Sequence, residues 1–509
     1  MDIPALLAAL PARISAIARQ RAAQSPDAPA LGEAGRFWTY AQLAVEVDAN
    51  LALLRQLGVR PGDRVMVVGE NCVAQVALIF AAAELDAWIV NVNARLSGAE
   101  IANIRQHSGA RRVLYTVATS TEAQQHAVND GAVAHGALMA GPLNEACSPE
   151  PVDPGNEQVA ALIYTTGTTG HPKGVMLTHR NLLYIAAVSS TLRGLTPQDR
   201  AYGVLPISHV YGLASVMLGT LYAGACLYLA PRFSAAAMLR AIGADKLTIM
   251  QGVPAMYARL LELAPATPLA SNLRFIYAGG SPLDPSLKRQ VEQALGLPLH
   301  NGYGMTESSP TISQTRLDAP RTDTSVGTVI PGVEVRIVDE AGVDVAPGEA
   351  GELWVRGPNV MKGYYREAEL TAATMRPHGW LNTGDMARQD TDGALFIVGR
   401  TKELIIRSGF NVYPLEVETA LNAHPGVAQS AVVGRMVAGG NEEVVAFVEA
   451  DPQHPPGEQE LRDYLAQRLS PYKCPSQIVI MAALPAAATG KILKGQLKAL
   501  AQDLPAKKS

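Results

Sequence analysis

Cysteine is scarce in this chain. The four present, Cys72, Cys147, Cys226 and Cys474, are scattered without the spacing of a metal site or a disulfide framework. That excludes a disulfide-stapled secreted fold and fits a reducing, cytoplasmic setting. An excess of charge of one sign is also missing: 42 basic and 46 acidic residues leave a net charge of −4. Nothing in that balance attracts nucleic acid or an anionic membrane. The N-terminus lacks a basic segment followed by a long apolar run, so no secretory signal is expected.

One stretch lacks charge altogether. Between Arg200 and Arg232, residues Ala201 to Pro231 contain no Asp, Glu, Lys or Arg. The run is long enough to span a bilayer. Yet it opens on Pro206-Ile-Ser-His209 and breaks at Gly224, which a spanning helix would not do. It reads as strand, loop, buried helix and strand of a soluble core, with no integral membrane association.

What is present suits a globular enzyme. The chain has 509 residues, of which 48% are apolar and 17% charged, too many for a single core and enough for two or more domains. Asp63–Val68 and Ala87–Val92 read as strands either side of a helical pattern at Val73–Leu85. The alternation resumes with strand near 201–205, helix near 213–223, strand 226–230, helix 234–242 and strand 247–251. This βαβ pattern predicts parallel sheets flanked by helices. Residues 117–158 show no periodicity and read as a surface excursion. From about 327 to 398 short strands separated by Gly and Pro predict a small β-barrel or meander. After Arg400 a compact α+β unit follows, with helices near 414–424, 459–469 and 494–504 and strands near 430–434, 443–449 and 477–482.

The most informative run is Tyr164-Thr-Thr-Gly-Thr-Thr-Gly-His-Pro-Lys-Gly174. Thr165, Thr166, Thr168 and Thr169 gather hydroxyls, Gly167, Gly170 and Gly174 let the backbone approach a ligand, and Lys173 adds a cation. An apolar strand leads in and Thr178 can cap a helix after it, so strand, loop and helix would hold phosphate oxygens. It is not a Walker A loop, because Pro precedes the lysine and Gly follows it.

Further motifs follow in order. In Asn301-Gly-Tyr-Gly-Met-Thr-Glu307, Tyr303 offers a flat face for a purine, and Gly302 and Gly304 admit the ligand edge. Thr306 can bind a phosphate oxygen, and Glu307 is a hard oxygen ligand suited to Mg²⁺. Then come Trp380-Leu-Asn-Thr-Gly-Asp385, the stretch Gly399 to Glu416, and Thr489-Gly-Lys491. Leu205 to Gly212, containing His209, and Tyr277-Ala-Gly-Gly-Ser-Pro-Leu283 lie between the first two motifs.

This series resembles the adenylate-forming superfamily of acyl-CoA synthetases, firefly luciferase and peptide-synthetase adenylation domains. The resemblance covers nearly the whole chain. It implies a large N-terminal domain, 1–399, with two βαβ-type sheet subdomains and the small β-barrel. A hinge at 400–402 and a mobile α+β C-terminal domain, 403–509, would follow. ATP, Mg²⁺ and CoA would be the cofactor and co-substrates, and a small carboxylic acid the substrate. The resemblance assigns Asp385 to the ribose hydroxyls, Arg400 to the nucleotide, Lys402 to the pivot, and Arg407, Ser408 and Gly409 to a CoA tunnel. Lys491 would stabilise charge in adenylate formation. Thr165, Thr166, Gly167, Thr168, Thr169, Gly170, Lys173, Gly279, Asn301, Gly302, Tyr303, Gly304 and Thr306 would bind ATP or AMP. His209, Val210, Gly212, Tyr277, Ala278, Gly279 and Gly280 would line the acyl pocket, with Thr166, Glu307 and His209 joining Lys491 in catalysis.

The chain departs from the family pattern at Ala486-Ala-Ala488, where a basic residue and a threonine commonly precede Thr-Gly-Lys. The pocket segments carry no extra Arg or Lys, which disfavours a dicarboxylate such as malonate, and no acid for an amino group. The expected function is an ATP-dependent acyl-CoA synthetase for a medium-chain aliphatic or aryl acid, acting as a monomer or homodimer. Loading of a carrier protein in trans, luciferase-type oxidation and non-catalytic nucleotide sensing are the alternatives.

Overall fold

A computed structural model describes residues 1–166, 172–263, 271–407, 410–437, 441–452, 454–486 and 492–504, with the backbone alone at Thr166 and Pro172. Two large sheets dominate. The first has nine strands. Its parallel centre runs Leu299–Gly304, Phe275–Ala278, Ile249–Gly252, Arg200–Gly203, Cys226–Leu229 and Pro29–Glu33. Antiparallel strands close both edges. The second sheet has eight strands, with Val159–Thr166, Trp88–Asn93, Arg64–Gly69 and Arg112–Tyr115 parallel at its centre.

Burial explains the layering. The helices Val73–Glu84 and His179–Leu192 are buried almost all round, as expected of helices enclosed on both faces. One continuous core joins them to Leu31, Ile249 and Tyr277 of the first sheet and Val65, Val67 and Ile163 of the second. The uncharged stretch folds as read: strand Arg200–Gly203, a π-helical segment Tyr211–Leu218 continuing through Gly219–Tyr222, and strand Cys226–Leu229. Among the described residues no helix is long and apolar enough to cross a membrane.

Two expectations need correction, and the barrel or meander region takes the form of an antiparallel sheet, open among the described residues. The excursion at 117–158 contains helix Thr121–Asn129 and a hairpin, Val133–His135 with Leu138–Ala140, that extends the second sheet. The Tyr115 hydroxyl and Arg105 both bond to Asp130 and dock it there, a tertiary tie that leaves no periodicity. The barrel region is a five-stranded antiparallel sheet that no pairing closes among the described residues. Its longest strand, Trp380–Gln389, carries Asp385 on a strand and not in a turn. The hydroxyl-rich run is not strand, loop and helix. Val159–Thr166 pairs antiparallel with Pro172–Thr178, so the run is a hairpin, and the helix begins only at His179, capped by Thr178 as expected.

Beyond Arg400 a three-stranded sheet, Val427–Met436, Glu442–Ala450 and Gln477–Met481, packs against helices Pro414–Asn422, Glu458–Ala466 and Lys494–Asp503. Arg400 still belongs to strand Leu395–Arg400, paired with Asp385, and the turn Thr401–Glu403 follows it.

Candidate active site

The hairpin register places Thr165 opposite Lys173 and Tyr164 opposite Gly174. Gly167, Thr168, Thr169 and Gly170 at its tip lie outside the described residues, as does the Thr166 side chain. The Tyr164 hydroxyl lies 2.8 Å from Nδ1 of His107, which anchors the strand from behind. The Lys173 ammonium stands 5.7 Å from the centroid of the Tyr364 ring, a cation–π distance.

Tyr364 links that hairpin to the second motif. Its strand, Gly363–Tyr364, pairs with Pro172–Thr178, and its hydroxyl donates to Oε1 of Glu307 at 2.7 Å. The Met361 amide donates to the Glu307 carbonyl at 2.9 Å. Glu307 is 9% exposed, so its carboxylate is held in one orientation. Burial, and then the Glu307 charge, raise the Tyr364 phenol well above its ordinary value. Among the described residues no three His, Cys, Asp or Glu side chains could together hold a metal ion. A lone oriented carboxylate beside a lysine and a hydroxyl-rich hairpin still fits Mg²⁺ arriving with nucleotide phosphates, since that ion keeps waters and phosphate oxygens as its other ligands.

The second motif is built without slack. A side chain on Gly304 would begin 1.7 Å from the Pro310 carbonyl oxygen, and one on Gly302 would begin 1.7 Å from the Tyr277 hydroxyl. Only glycine fits either place. Asn301 is committed internally: its amide nitrogen donates to the carbonyls of Thr324 and Ser325, and its oxygen accepts from the Gly302 amide. Its side chain therefore shapes the strand. Thr306 is buried on the turn Thr306–Ser308.

The third motif meets the second through Tyr303. Its hydroxyl donates to Oδ2 of Asp385, and Nε of Arg400 lies 3.0 Å from Oδ1. Asp385 is buried, and its carboxylate offers acceptor oxygens only. Burial opposes the Arg400 charge, but Asp385, Glu403, Tyr303 and Glu307 outweigh it and raise the pKa.

The residues expected at the acyl pocket lie on or after strands Arg200–Gly203 and Phe275–Ala278 of the first sheet. His209 is exposed, and its Nδ1 accepts from the Tyr211 amide at 3.2 Å, which fixes the ring at the start of the π-helical segment. Val210 is buried and Gly212 packs under the Pro206 carbonyl. Tyr211 and Tyr277 meet edge to face at 6.2 Å, and both rings come within 3.4 Å of where a side chain on Gly279 would begin. Gly280 is exposed beside them. Ala278 does not meet these rings: strand alternation turns it to the opposite face, into the core with Met250 and Ile276.

Three residues of the site gave no usable sign in the sequence. Tyr364 sits in a plain Gly-Tyr-Tyr run, His107 is one of several polar residues on helix Gly98–Ser108, and Gln251 is a single polar residue on the apolar strand Ile249–Gly252. In the C-terminal part, Lys402 is exposed on its turn. Nη1 of Arg407 donates to the carbonyls of Tyr472 and Cys474 at 3.0 and 2.7 Å, pinning its strand. Ser408, Gly409 and Lys491 lie outside the described residues; Ala486 pairs with Ile492.

A hydroxyl-rich hairpin with a lysine, an oriented carboxylate beside it and a buried aspartate–arginine pair define an adenylate-forming enzyme. The chain belongs to the AMP-binding enzyme family: that family's profile matches residues 18–365, and the AMP-binding enzyme C-terminal domain matches residues 416–491. It is 37% identical to a feruloyl-CoA synthase of Amycolatopsis sp over 94% of this chain and 97% of that protein. It is 34% identical to 4-coumarate–CoA ligase 2 of Oryza sativa subsp. japonica, over 94% and 90%. ATP-bound MatB from Rhodopseudomonas palustris superposes with a TM-score of 0.85 at 30% identity, over 97% of this chain and 99% of that one. The o-succinylbenzoate CoA synthetase from Bacillus subtilis with its acyl-adenylate OSB-AMP gives 0.83 at 30%, over 98% and 99%. The chain is an AMP-forming acid–CoA ligase that uses ATP and CoA.

Proposed function

We propose that this ligase activates an aryl carboxylic acid. The observation that carries the reading is the pair of rings, Tyr211 and Tyr277, set edge to face against Gly279. Such a wall offers ring edges and faces to an aromatic guest. The relatives named above for feruloyl-CoA and 4-coumarate, and an indoleacetate–CoA ligase of Aromatoleum aromaticum that is 34% identical over 94% of this chain, support it.

The chemistry follows from the carboxylate's poor leaving group. A carboxylate oxygen of the acid attacks the α-phosphorus of ATP, the bond to the β-phosphate oxygen breaks, and pyrophosphate leaves. Lys173 and the hairpin hydroxyls take phosphate oxygens, Asp385 accepts from the ribose, and Arg400 flanks it. Glu307 would hold Mg²⁺, which when bound neutralises phosphate charge. His209 stands at the mouth beside the acid, and Lys491 meets the developing charge. The CoA thiolate then attacks the acyl carbonyl and AMP leaves. The C-terminal domain turns about Lys402 between the steps, replacing Lys491 with the strand around Gly409.

The test is pyrophosphate release across aliphatic and aryl acids, each with and without CoA. Release with aryl acids and consumption of CoA is expected. A preference for straight-chain acids would overturn the aryl assignment. Acid-dependent release without CoA consumption would point to a carrier-protein acceptor.

A further inference from the structure

Helix His179–Leu192 ends at Arg193, whose guanidinium turns inward against the first sheet and is only 1% exposed. It has no carboxylate partner among the described residues. Nη1 donates to Oε1 of Gln251 at 2.7 Å and to the Ser215 carbonyl at 3.5 Å, and the guanidinium carbon stands 4.6 Å from the Tyr277 ring centroid. Those contacts, with a hydrogen bond to the Tyr277 side chain, fix the group's orientation. Nε and Nη2 are buried without a partner among the described residues, as are Nε2 of Gln251 and the hydroxyl of Tyr211. Gln251 is 1% and Tyr211 7% exposed.

Two features of this cluster point to a ligand. Nε and Nη2 form one edge of the guanidinium fork, the edge that pairs with both oxygens of a carboxylate. All the unpartnered groups named can donate, and a buried cation with spare donors and no anion is costly to maintain unless an anion arrives. The position is equally specific. Tyr277, which carries Arg193 on its ring, also borders Gly279 beside Tyr211. The pocket segments contain no cation of their own, and the fold supplies one from a different element.

We propose that Arg193 is a specificity residue that receives a second carboxylate at the far end of the substrate acid, with Gln251 and Tyr211 completing its hydrogen bonds. The inference rests on the proposed ligase reading and names a substrate class within it: an aryl acid bearing a distal carboxylate. It reverses the expectation drawn from the pocket segments alone.

Matched acids test it: 3-phenylpropanoate against its ortho- and para-carboxyl derivatives, with wild type, Arg193→Met and Arg193→Lys. Wild type should favour one of the dicarboxylates in kcat/KM for pyrophosphate release. Arg193→Met should lose about 10- to 100-fold on that acid alone. Arg193→Lys, which keeps the charge without the fork, should fall between. Because the charge lacks a partner, Arg193→Met should keep or raise the Tm. A wild-type preference for the monoacid, or an equal loss on all acids with a lowered Tm, would overturn the proposal and mark a structural arginine. If no acid releases pyrophosphate the ligase reading fails. Calorimetry with the dicarboxylates then decides separately: binding lost in Arg193→Met supports the subsite, and binding that is absent in wild type or unchanged in the variant refutes it.

Discussion

Glu307 matters at the residue scale because something holds it. A buried carboxylate free to rotate would present its oxygens poorly, and the Tyr364 hydroxyl at 2.7 Å removes that freedom. Tyr364→Phe should cost about 2 kcal/mol of transition-state stabilisation, the worth of one hydrogen bond to a charged group. It should appear as a raised Mg²⁺ requirement and a lower kcat/KM for ATP. An unchanged Mg²⁺ dependence would detach Tyr364 from the metal-ligating role given to Glu307. His300 supplies a pH prediction. Burial, helped by Lys288, lowers its pKa to about 4 from the ordinary 6.5. Above pH 6.5 it is neutral in both folded and unfolded chains and contributes nothing. As the pH falls from 6.5 toward 4 the unfolded chain binds a proton that the folded one refuses, so stability drops, by roughly 3 kcal/mol at most. His300→Gln should give a shallower fall of Tm across that window. A slope equal to wild type would contradict it.

Elements are tied by contacts that local patterns do not announce. Lys494 opens the last helix and reaches Glu403 of the turn after Arg400 at 2.9 Å and Glu418 of helix Pro414–Asn422 at 2.8 Å. Burial raises the pKa of Glu418, and Lys494 opposes that rise. Lys494→Met should leave Glu418 buried and unpaired at a cost of about 3 kcal/mol, seen as a lower Tm for the C-terminal part. The Glu418→Gln, Lys494→Met double variant should recover much of it. No recovery would show that packing, not charge, fails. The hairpin is similar in kind. Its composition was plain from residues 164–174, but strand Pro172–Thr178 also pairs with Gly363–Tyr364 from far along the chain.

For the whole molecule the expected behaviour is two half-reactions with separate requirements. Lys491→Ala should abolish pyrophosphate release yet leave thioester formation from supplied acyl-adenylate near wild type. Gly409→Leu should do the reverse, since a branched side chain would obstruct a pantetheine path. Rapid-quench assays of each half-reaction measure both. Equal losses in the two half-reactions for either variant would refute the division of labour.

Period and composition by themselves determined much of this protein. Buried strands and helices announce themselves because burial on two faces demands unbroken apolar runs, as in Val65–Val68 and Val76–Ala83. Short motifs with fixed chemistry, Thr165 to Gly174 and Asn301 to Glu307, were readable because local backbone and side chains do the work together. Tertiary structure decided the rest. Tyr364 reaches Glu307 across 57 residues, Tyr303 reaches Asp385 across 82, and Arg193 reaches Gln251 across 58. No local pattern encodes such pairings. A hydrogen bond between distant elements depends on register and layer order, and those follow from how the two sheets close around their shared helices.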